Sequence, residues 1–305
     1  MLKNKNYQCN VCLNKNTKII YNRLIKRSNS LKWFERSILE ILNIKQLNYQ
    51  INFCLNCFHI FVSNNINSNL LYSNEASKIR KNLFTNEFPN KKYSYNLDNK
   101  FHYKSENKRI NIIKDDILDY LNKSNQKKIK ILDFGGDDGY LSNKIFELIE
   151  NKYSKRVLFD IYDPQIINNL SSNTYDIIIL SHVLEHISNL DEFFLELKKY
   201  ISKKTLLLIE VPDERSLLYK ILFRRNIYLD YHLNFFSISS IKYFFKKNNY
   251  KLDSKYIFSS YRGNKLMTIY SKAMYFNNKI KISKFYEIFS LIMYLPRKLF
   301  LKFLT

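Results

Sequence analysis

Glycine and proline are scarce in this chain, with four of each among 305 residues. This scarcity excludes collagen-like and Pro/Gly-rich low-complexity architectures. Cysteine is also limited to four residues, too few for a disulfide-rich secreted scaffold. Hydrophobic residues nevertheless make up 46% of the chain, which excludes general disorder and permits a sizeable core. The length predicts two domains.

Acidic residues are in the minority. The chain has 50 Lys and Arg against 27 Asp and Glu, a formal net charge of +23. A surface this basic attracts phosphate-bearing partners such as nucleic acid, anionic lipid or nucleotide-activated substrates. The basic residues are spread along the whole chain, however, and do not form one block. A compositional bias typical of an AT-rich genome therefore competes with a functional basic face.

Long apolar runs are also missing. The most apolar stretch, Phe285–Leu304, is interrupted by Glu287, Pro296, Arg297 and other charged residues, so we expect no transmembrane segment. The first ten residues carry Lys and Asn, and no apolar signal segment follows them. We therefore expect a cytoplasmic protein, in which thiols stay reduced.

The four cysteines form two pairs, Cys9-x-x-Cys12 and Cys54-x-x-Cys57. Two residues between thiols allow both sulfurs of one knuckle to reach a metal ion at about 2.3 Å. Two knuckles complete a tetrahedral four-thiolate site, which selects zinc over hard cations. The spacing therefore predicts a structural zinc ion. Iron in the same cage, two redox pairs and four unrelated core thiols are the alternatives.

Downstream of the cysteines, apolar strands alternate with amphipathic helices. This alternation predicts a mostly parallel sheet covered by helices, with a final hairpin as an antiparallel edge. Strands are predicted over 130–134, 157–162, 175–180 and 205–211, and the hairpin over 256–260 and 265–271. Helices are predicted over 33–42, 105–123, 140–150, 190–201 and 237–247, the last with a serine N-cap.

Three of the four glycines fall in one turn, ILDFGGDDGYL (Ile131–Leu141). Gly135, Gly136 and Gly139 follow a predicted strand and open a predicted helix. In that context a glycine-rich turn brings free backbone N–H groups beside a bound nucleotide. The sequence therefore predicts a nucleotide-binding turn.

This turn resembles the first motif of class I S-adenosylmethionine-dependent methyltransferases, D/E-x-G-x-G-x-G. The match lies at Asp133, Gly135 and Gly139, whereas Asp137 replaces the middle glycine and Gly136 is additional. Later matches are YDIIILSHVLEHI (Tyr175–Ile187), LLLIEVP (Leu206–Pro212) and YHLNFFSISSIKYFFKKNNY (Tyr231–Tyr250). The resemblance implies a Rossmann-like α/β fold and S-adenosylmethionine as cofactor.

The resemblance also implies the cofactor contacts. The turn after Asp133 would hold the amino-acid end, and a carboxylate after the next strand would hold the ribose. VLFDIYDP offers Asp160 and Asp163, of which Asp163 is favoured because it ends the strand. Ser181 and His182 follow the third strand and are further candidates for nucleotide contact. Only twelve residues separate Asp163 from Asp176, so we expect a shortened helix and a missing or vestigial edge strand.

A four-cysteine module before such a core is similar to sugar C-methyltransferases of deoxysugar and surface-polysaccharide pathways. LNCFHIF (Leu55–Phe61) and LLYS (Leu70–Ser73) resemble the second knuckle of that module and its exit. The resemblance implies a nucleotide-activated or polymer-linked sugar as acceptor. It divides the chain into a zinc module (1–62), a connecting arm (63–104), a methyltransferase core (105–273) and a basic amphipathic extension (274–305).

Histidine titrates near neutrality and suits the base that methyl transfer requires. In the sugar C-methyltransferases, histidines in the stretches matched by His186 and His232 lie at the active site. We predict His232 as base or substrate orienter and His186 as its partner, the alternative being that both only pack. Tyr231 replaces an acidic residue of the family, which leaves C- versus O-methylation open and makes Tyr231 a second candidate proton carrier. His59 and His102 are expected at the surface or in the module.

Other functions remain open at this point. RNA methylation would use the basic charge, although no Lys/Arg run interleaved with aromatic residues indicates a nucleic-acid surface. A non-catalytic zinc scaffold would explain Asp137 and the short segment before Asp176. The C-terminal extension fits either contact with an anionic membrane or a helix packed on the core.

Overall fold

A computed structural model of the protein describes residues 7–28, 30–63, 66, 68–71, 73–89, 100–136, 139–153, 156–163, 170–172, 174–213, 231–261 and 264–276. In these residues the strands form two sheets, one of four strands and one of six. Asp137, the proposed hairpin turn at 262–263 and most of the C-terminal extension lie outside the described residues, as does the side chain of His102.

The N-terminal elements are β1 (Thr17–Lys26), α1 (Trp33–Ile41), β2 (Gln46–Cys54), β3 (Ile60–Val62), α2 (Ser68–Leu71) and α3 (Asn74–Glu87). They are followed by α4 (Lys100–Lys123), β4 (Ile129–Phe134), α5 (Tyr140–Tyr153), β5 (Val157–Tyr162), β6 (Tyr175–Ser181), α6 (Leu190–Leu197) and β7 (Ile201–Pro212). The last elements are β8 (Asn234–Phe235), α7 (Ile238–Lys247), β9 (Tyr250–Tyr261) and β10 (Asn264–Tyr275).

The larger sheet has the strand order β5-β4-β6-β7-β10-β9. Its first four strands are parallel, and β10 runs antiparallel to both β7 and β9. This arrangement confirms the predicted α/β fold with a mostly parallel sheet and an antiparallel edge hairpin. No described residue forms a strand beyond β5 in this sheet. Residues 164–169, where we expected a shortened helix, lie outside the described part.

Burial on both faces explains why the central strands read as continuous apolar runs. Strands β4 and β6 are buried along most of their length, as is typical of parallel strands between two helical layers. Helix α4 covers one face with buried apolar residues at helical spacing, Ile110, Ile113, Ile117 and Leu121. Helices α6 and α7 contribute to the core on the other side.

The observed ends of α7 agree with the prediction at its N-cap, whereas those of α6 and β7 differ from it. Helix α7 begins after Ser237, whose side chain forms a capping box with Ser240, so the predicted N-cap is confirmed. Helix α6 ends at Leu197, and a 3₁₀ turn over Lys198–Tyr200 leads directly into β7. Strand β7 therefore begins at Ile201, four residues earlier than predicted, because its first polar residues are exposed and carry no hydrophobic signal.

The smaller sheet has the order β1-β2-β3-β8, and all of its pairings are antiparallel. Its last strand, β8, lies within residues 231–250, so a segment that is distant in sequence completes the N-terminal sheet. Cys9, Cys57 and Phe61 also share one apolar core with Leu184 and Phe236. The cysteine-bearing segment is therefore packed into the larger domain.

Within the expected connecting arm, the structure describes two helices, α2 and α3, and the start of α4. Helix α3 packs against α1, where Phe84 meets the edge of Trp33 with ring centroids 5.3 Å apart. Arg36 and Glu87 form an ion pair at the same contact. The polar composition of α3 gave no sequence signal for this packing. Separately, we find no helix among the described residues that is long and apolar enough to cross a membrane.

Candidate functional site

Predicted site residues from three strands converge at the carboxyl edge of the parallel sheet. Strand β4 leads into Gly135, β5 into Asp163, and β6 ends at Ser181. A Cβ atom on Gly135 would lie 2.7 Å from Cγ2 of Val183, so the glycine turn lies directly against the segment that follows β6. Ligands of open α/β sheets bind at this edge.

The glycine turn requires glycine on two grounds. Gly135 and Gly139 both have φ of +79°, a conformation that side chains disfavour. A Cβ atom on Gly139 would overlap Ile161, and the N–H of Gly135 donates to the carbonyl of Tyr162 at 2.7 Å. The turn is thereby fixed against β5, beside the predicted ribose-binding position.

Asp133 is buried at the end of β4. Its Oδ2 accepts a hydrogen bond from Ser142 Oγ of α5 at 2.6 Å. Burial raises the pKa of Asp133 to about 6, and the negative charge of Asp163 contributes, although Ser142 and Arg109 oppose the shift. A cationic group bound at this edge would stabilise the ionised form of Asp133.

We predict that Asp133→Asn stabilises the ligand-free protein at neutral pH. The folded state binds the Asp133 proton more tightly than the unfolded state, so the stability it contributes is present below pH about 4 and is lost as the pH rises to about 6. The shift corresponds to about 3 kcal/mol. Thermal melts between pH 4 and 8 should therefore show an advantage of the variant that grows with pH and levels off above about 6. An equal advantage at all pH values would contradict this explanation.

The two candidate ribose ligands lie in different surroundings. Oδ2 of Asp160 accepts hydrogen bonds from Ser171 N at 2.9 Å, Ser171 Oγ at 2.5 Å and Tyr175 Oη at 2.5 Å. Asp160 thus connects the loop at 170–172 to the start of β6. Asp163 directly follows β5 and lies close enough to raise the pKa of Asp133, and it stays our candidate for the ribose.

A buried charged cluster beneath this edge was missed by sequence reasoning. Arg109 of α4 forms an ion pair with Glu210 of β7 at 2.5 Å and donates to Ser181 Oγ at 2.7 Å. Ser181 in turn donates to Glu210 at 2.9 Å, so its hydroxyl belongs to this cluster. Burial opposes ionisation of Glu210, but Arg109 and His182 outweigh it and lower its pKa. The sequence did contain one signal of this cluster, a single Glu inside the apolar strand LLLIEVP. A charge buried in such a strand requires an oppositely charged or hydrogen-bonding partner.

His182 adopts a left-handed backbone conformation, with φ of +56°. Its N–H donates to the carbonyl of Glu210 at 2.9 Å, and its Nδ1 lies 3.1 Å from Oε1 of Glu185. Glu185 is only 1% exposed. Burial raises its pKa, but the hydrogen bond with His182 and the charges of the nearby histidines outweigh this effect and lower the pKa to about 2. Glu185 is therefore an ionised carboxylate beneath the site.

The two predicted catalytic histidines are brought together although they are 46 positions apart. The ring centroids of His186 and His232 lie 4.9 Å apart. His186 Nε2 is 3.9 Å from Oε1 of Glu185, and His186 Nδ1 is 3.3 Å from the carbonyl of Tyr231. A backbone hydrogen bond from Leu233 N to the carbonyl of Glu185, at 2.7 Å, aligns the two segments. This geometry suits a proton-transferring pair backed by a carboxylate.

The same three side chains also have metal-ligand character. The ligand atoms of Glu185, His186 and His232 lie within 4.8 Å of one another. Oε1 of Glu185 also lies 3.1 Å from His182 Nδ1, so the carboxylate contacts a histidine outside this set as well.

Tyr231, the second candidate proton carrier, contacts the N-terminal helices. Its hydroxyl forms a short hydrogen bond with Ser37 Oγ of α1, and its ring lies beneath the Arg80 guanidinium, 5.4 Å from the ring centroid. The hydroxyl therefore contacts α1, and the ring contacts α3. Tyr231 contributes its carbonyl to His186.

The four cysteines form a compact cluster. Cys9 and Cys57 have sulfurs 3.5 Å apart, as do Cys12 and Cys54, and all four sulfurs lie within 4.8 Å. A tetrahedral ion with metal–sulfur bonds of about 2.3 Å requires sulfurs separated by about 3.8 Å. The soft donor set and these separations fit one zinc ion.

The two cysteine knuckles have the same backbone geometry. In each knuckle an N–H group donates to the first sulfur at 3.4 Å, from Val11 to Cys9 and from Asn56 to Cys54. The residues after each knuckle, Leu13 and Phe58, have φ of +60° and +57°. Such N–H donors stabilise thiolates, which supports metal ligation over four unrelated thiols.

His59 lies inside the N-terminal module, one of the two positions that we expected, and not at the surface. It is fully buried, its ring is stacked on Phe61, and its Nε2 lies 3.1 Å from Oδ1 of Asn234. Burial lowers the pKa of His59 to about 4, so the ring is neutral. Two aromatic neighbours in its own motif, FHIF, were the available sequence signal.

Comparison with solved structures returns methyltransferases at low similarity. Magnesium protoporphyrin IX methyltransferase (ChlM) from Synechocystis PCC 6803 with bound SAH has a TM-score of 0.40 and 13% identity, covering 65% of this chain and 99% of that chain. The plantazolicin methyltransferase BpumL has a TM-score of 0.40 and 13% identity, with 68% and 93% covered. The CurJ carbon methyltransferase has a TM-score of 0.37 and 14% identity, with 54% of each chain covered.

No curated protein matches this chain. Residues 105–255 match the sequence profile of the family described as "Methyltransferase domain". This stretch runs from α4 into β9 and contains the glycine turn, the buried charged cluster, His186 and His232. Residues 105–255 are therefore a methyltransferase domain, and the protein is a methyltransferase.

Proposed function

We propose that this methyltransferase acts on a nucleotide-activated or surface-polysaccharide sugar, by C- or O-methylation. The observation that carries the acid–base assignment is the pair of His186 and His232, held over the buried carboxylate of Glu185 beside the glycine turn. The sugar acceptor is supported by the resemblance of the cysteine spacing and of the 231–250 motif to sugar C-methyltransferases.

S-adenosylmethionine would supply a methyl group that its sulfonium already activates. The turn from Gly135 to Gly139 would hold the amino-acid end, with the anionic Asp133 nearby to favour its ammonium group. Asp163, at the end of β5, would accept hydrogen bonds from the ribose. A bound ammonium would offset the energetic cost of ionising a carboxyl whose pKa is raised to about 6.

The acceptor must lose a proton while it attacks the methyl group. In this proposal His232 takes that proton, and His186 orients the acceptor or relays the charge. The Tyr231 carbonyl fixes the ring of His186 through Nδ1. Glu185 remains ionised because its pKa is about 2, so it stabilises the positive charge that develops on the imidazoles.

The four cysteines would bind one structural zinc ion. Four thiolates leave no coordination position for water or substrate, so the ion would have no role in the reaction itself. Its role would be to hold the two knuckles together inside the shared core. Metal analysis should find about one zinc ion per chain, since four thiolates complete one tetrahedron.

Transfer of labelled methyl groups to fractionated cell extracts tests the acceptor class. The protein is incubated with labelled S-adenosylmethionine and extracts separated into nucleotide-sugar, polysaccharide and RNA fractions. We expect label in a sugar fraction, and a much lower rate of labelling there with the His232→Gln variant. Label confined to RNA would overturn the sugar assignment. Calorimetry with S-adenosylmethionine addresses the scaffold alternative, because a non-catalytic core should give no heat of binding.

A further inference from the structure

Asn234 lies in β8 between the cysteine cluster and the histidine pair. It is fully buried. Its Nδ2 donates to the carbonyl of Leu184 at 3.2 Å and to the carbonyl of Ile187 at 2.6 Å. These carbonyls flank the short turn that carries Glu185 and His186, so the amide group fixes both ends of that turn.

The oxygen of the same amide faces the cysteine knuckles. Oδ1 of Asn234 accepts from Asn10 Nδ2 at 3.1 Å and lies 3.1 Å from His59 Nε2. Asn10 lies inside the first knuckle, between Cys9 and Cys12, and His59 follows the second knuckle. The two carbonyls on the other side fix the orientation of the amide, so Oδ1 must point at these donors and the His59 proton must be on Nε2.

Backbone hydrogen bonds follow the same route. Leu233 N donates to the carbonyl of Glu185 at 2.7 Å, and Val62 N donates to the carbonyl of Leu233 at 2.9 Å. Strand β8 pairs with β3, which begins three residues after Cys57. The segment that carries His232 is therefore bonded to the His186 turn on one side and to the second knuckle's strand on the other.

We propose that Asn234 is a positioning residue that couples the metal-bound cysteine knuckles to the histidine pair. A side-chain amide can donate two hydrogen bonds and accept two through its oxygen. Asn234 makes all four of these hydrogen bonds. Aspartate cannot donate to the two carbonyls, and an apolar side chain would leave polar groups buried without partners. Metal binding at the knuckles thereby sets the separation of His186 and His232. This inference rests on the proposed roles of the zinc ion and the histidines.

Asn234→Asp tests the coupling in the zinc-loaded, full-length protein. The variant keeps the oxygen that faces Asn10 and His59 but loses both donors to the His186 turn. We expect zinc content to be retained, while the NMR signals of the His186 and His232 rings shift. We also expect kcat to fall by about 10²-fold, the cost of a misplacement of about 1 Å, with the KM for S-adenosylmethionine retained. Asn248→Asp is the matched control, because Asn248 also donates to a backbone carbonyl, that of Phe244, at the end of α7.

A second variant changes the contact of Asn234 on the knuckle side, and it tests the coupling even if Asn234→Asp misfolds. Asn10→Ala removes one donor to Oδ1 and leaves all four cysteines and both histidines in place. It should shift the same two histidine signals, whereas a local packing defect at the knuckle should not. Unchanged signals in both Asn234→Asp and Asn10→Ala would overturn the coupling. Absence of methyl transfer by the wild-type protein would instead contradict the proposed function and leave the NMR result standing.

Discussion

Replacing His232 by glutamine is expected to lower kcat by about 10²–10⁴-fold, the usual contribution of a positioned acid–base group. Glutamine preserves polarity but cannot accept a proton near neutral pH. The ring of His232 lies against His186 and is only partly buried, so the fold should tolerate the change. Binding of S-adenosylmethionine should be retained, because the glycine turn is untouched. Single-turnover transfer and calorimetry on the same sample measure the two quantities separately.

Tyr231→Phe is the matched control for His232→Gln. It removes the Tyr231 hydroxyl, which is hydrogen-bonded to Ser37, and keeps the Tyr231 carbonyl that contacts His186. We expect near-normal kcat and a loss of about 1 kcal/mol of stability from the lost hydrogen bond. If Tyr231→Phe reduces kcat as strongly as His232→Gln, the proton is carried by the tyrosine and our assignment is wrong.

The parallel sheet could be predicted from the sequence because its strands are buried on both faces. The strand over 157–162 has the predicted ends, and those over 129–134 and 175–181 extend the prediction by one residue. Strand β1 was not predicted, since TKIIYNRLIK is largely exposed and shows no regular alternation. Its existence depends on pairing with β2, and this tertiary contact leaves no local pattern.

In the candidate site, too, local motifs could be predicted from the sequence, whereas contacts between distant residues could not. Asp133, Gly135 and the histidines could be found because each lies in a short motif whose position relative to a strand is fixed. The ion pair between Arg109 and Glu210 joins residues 101 positions apart, and its partners are chosen by the fold. The bonds of Asn234 to Asn10 could not be found for the same reason, since they span 224 positions.

Removing the metal from the cysteine cluster is expected to have the largest effect on stability. Binding of zinc to four thiolates contributes about 10–16 kcal/mol in small zinc domains, comparable to the whole stability of about 5–15 kcal/mol of a typical protein. Cys9 and Cys57 belong to the same apolar core as Leu184 and Phe236, so the loss cannot stay confined to the N-terminal sheet. We expect a chelator, or Cys57→Ser, to abolish methyl transfer and to lower the melting temperature strongly.

Reductant distinguishes a metal site from redox pairs in this experiment. Sulfurs 3.5 Å apart are far from the separation of about 2.05 Å in a disulfide, so reductant alone should leave the melting temperature unchanged. Chelator under reducing conditions should lower it, and added zinc should restore it together with methyl transfer. Because the knuckles contact Asn234, the signals of His186 and His232 should change at the same chelator concentration as the melting temperature. A metal-free protein with unchanged melting and unchanged histidine signals would show that the cysteines pack as thiols and that the methyltransferase domain does not depend on them.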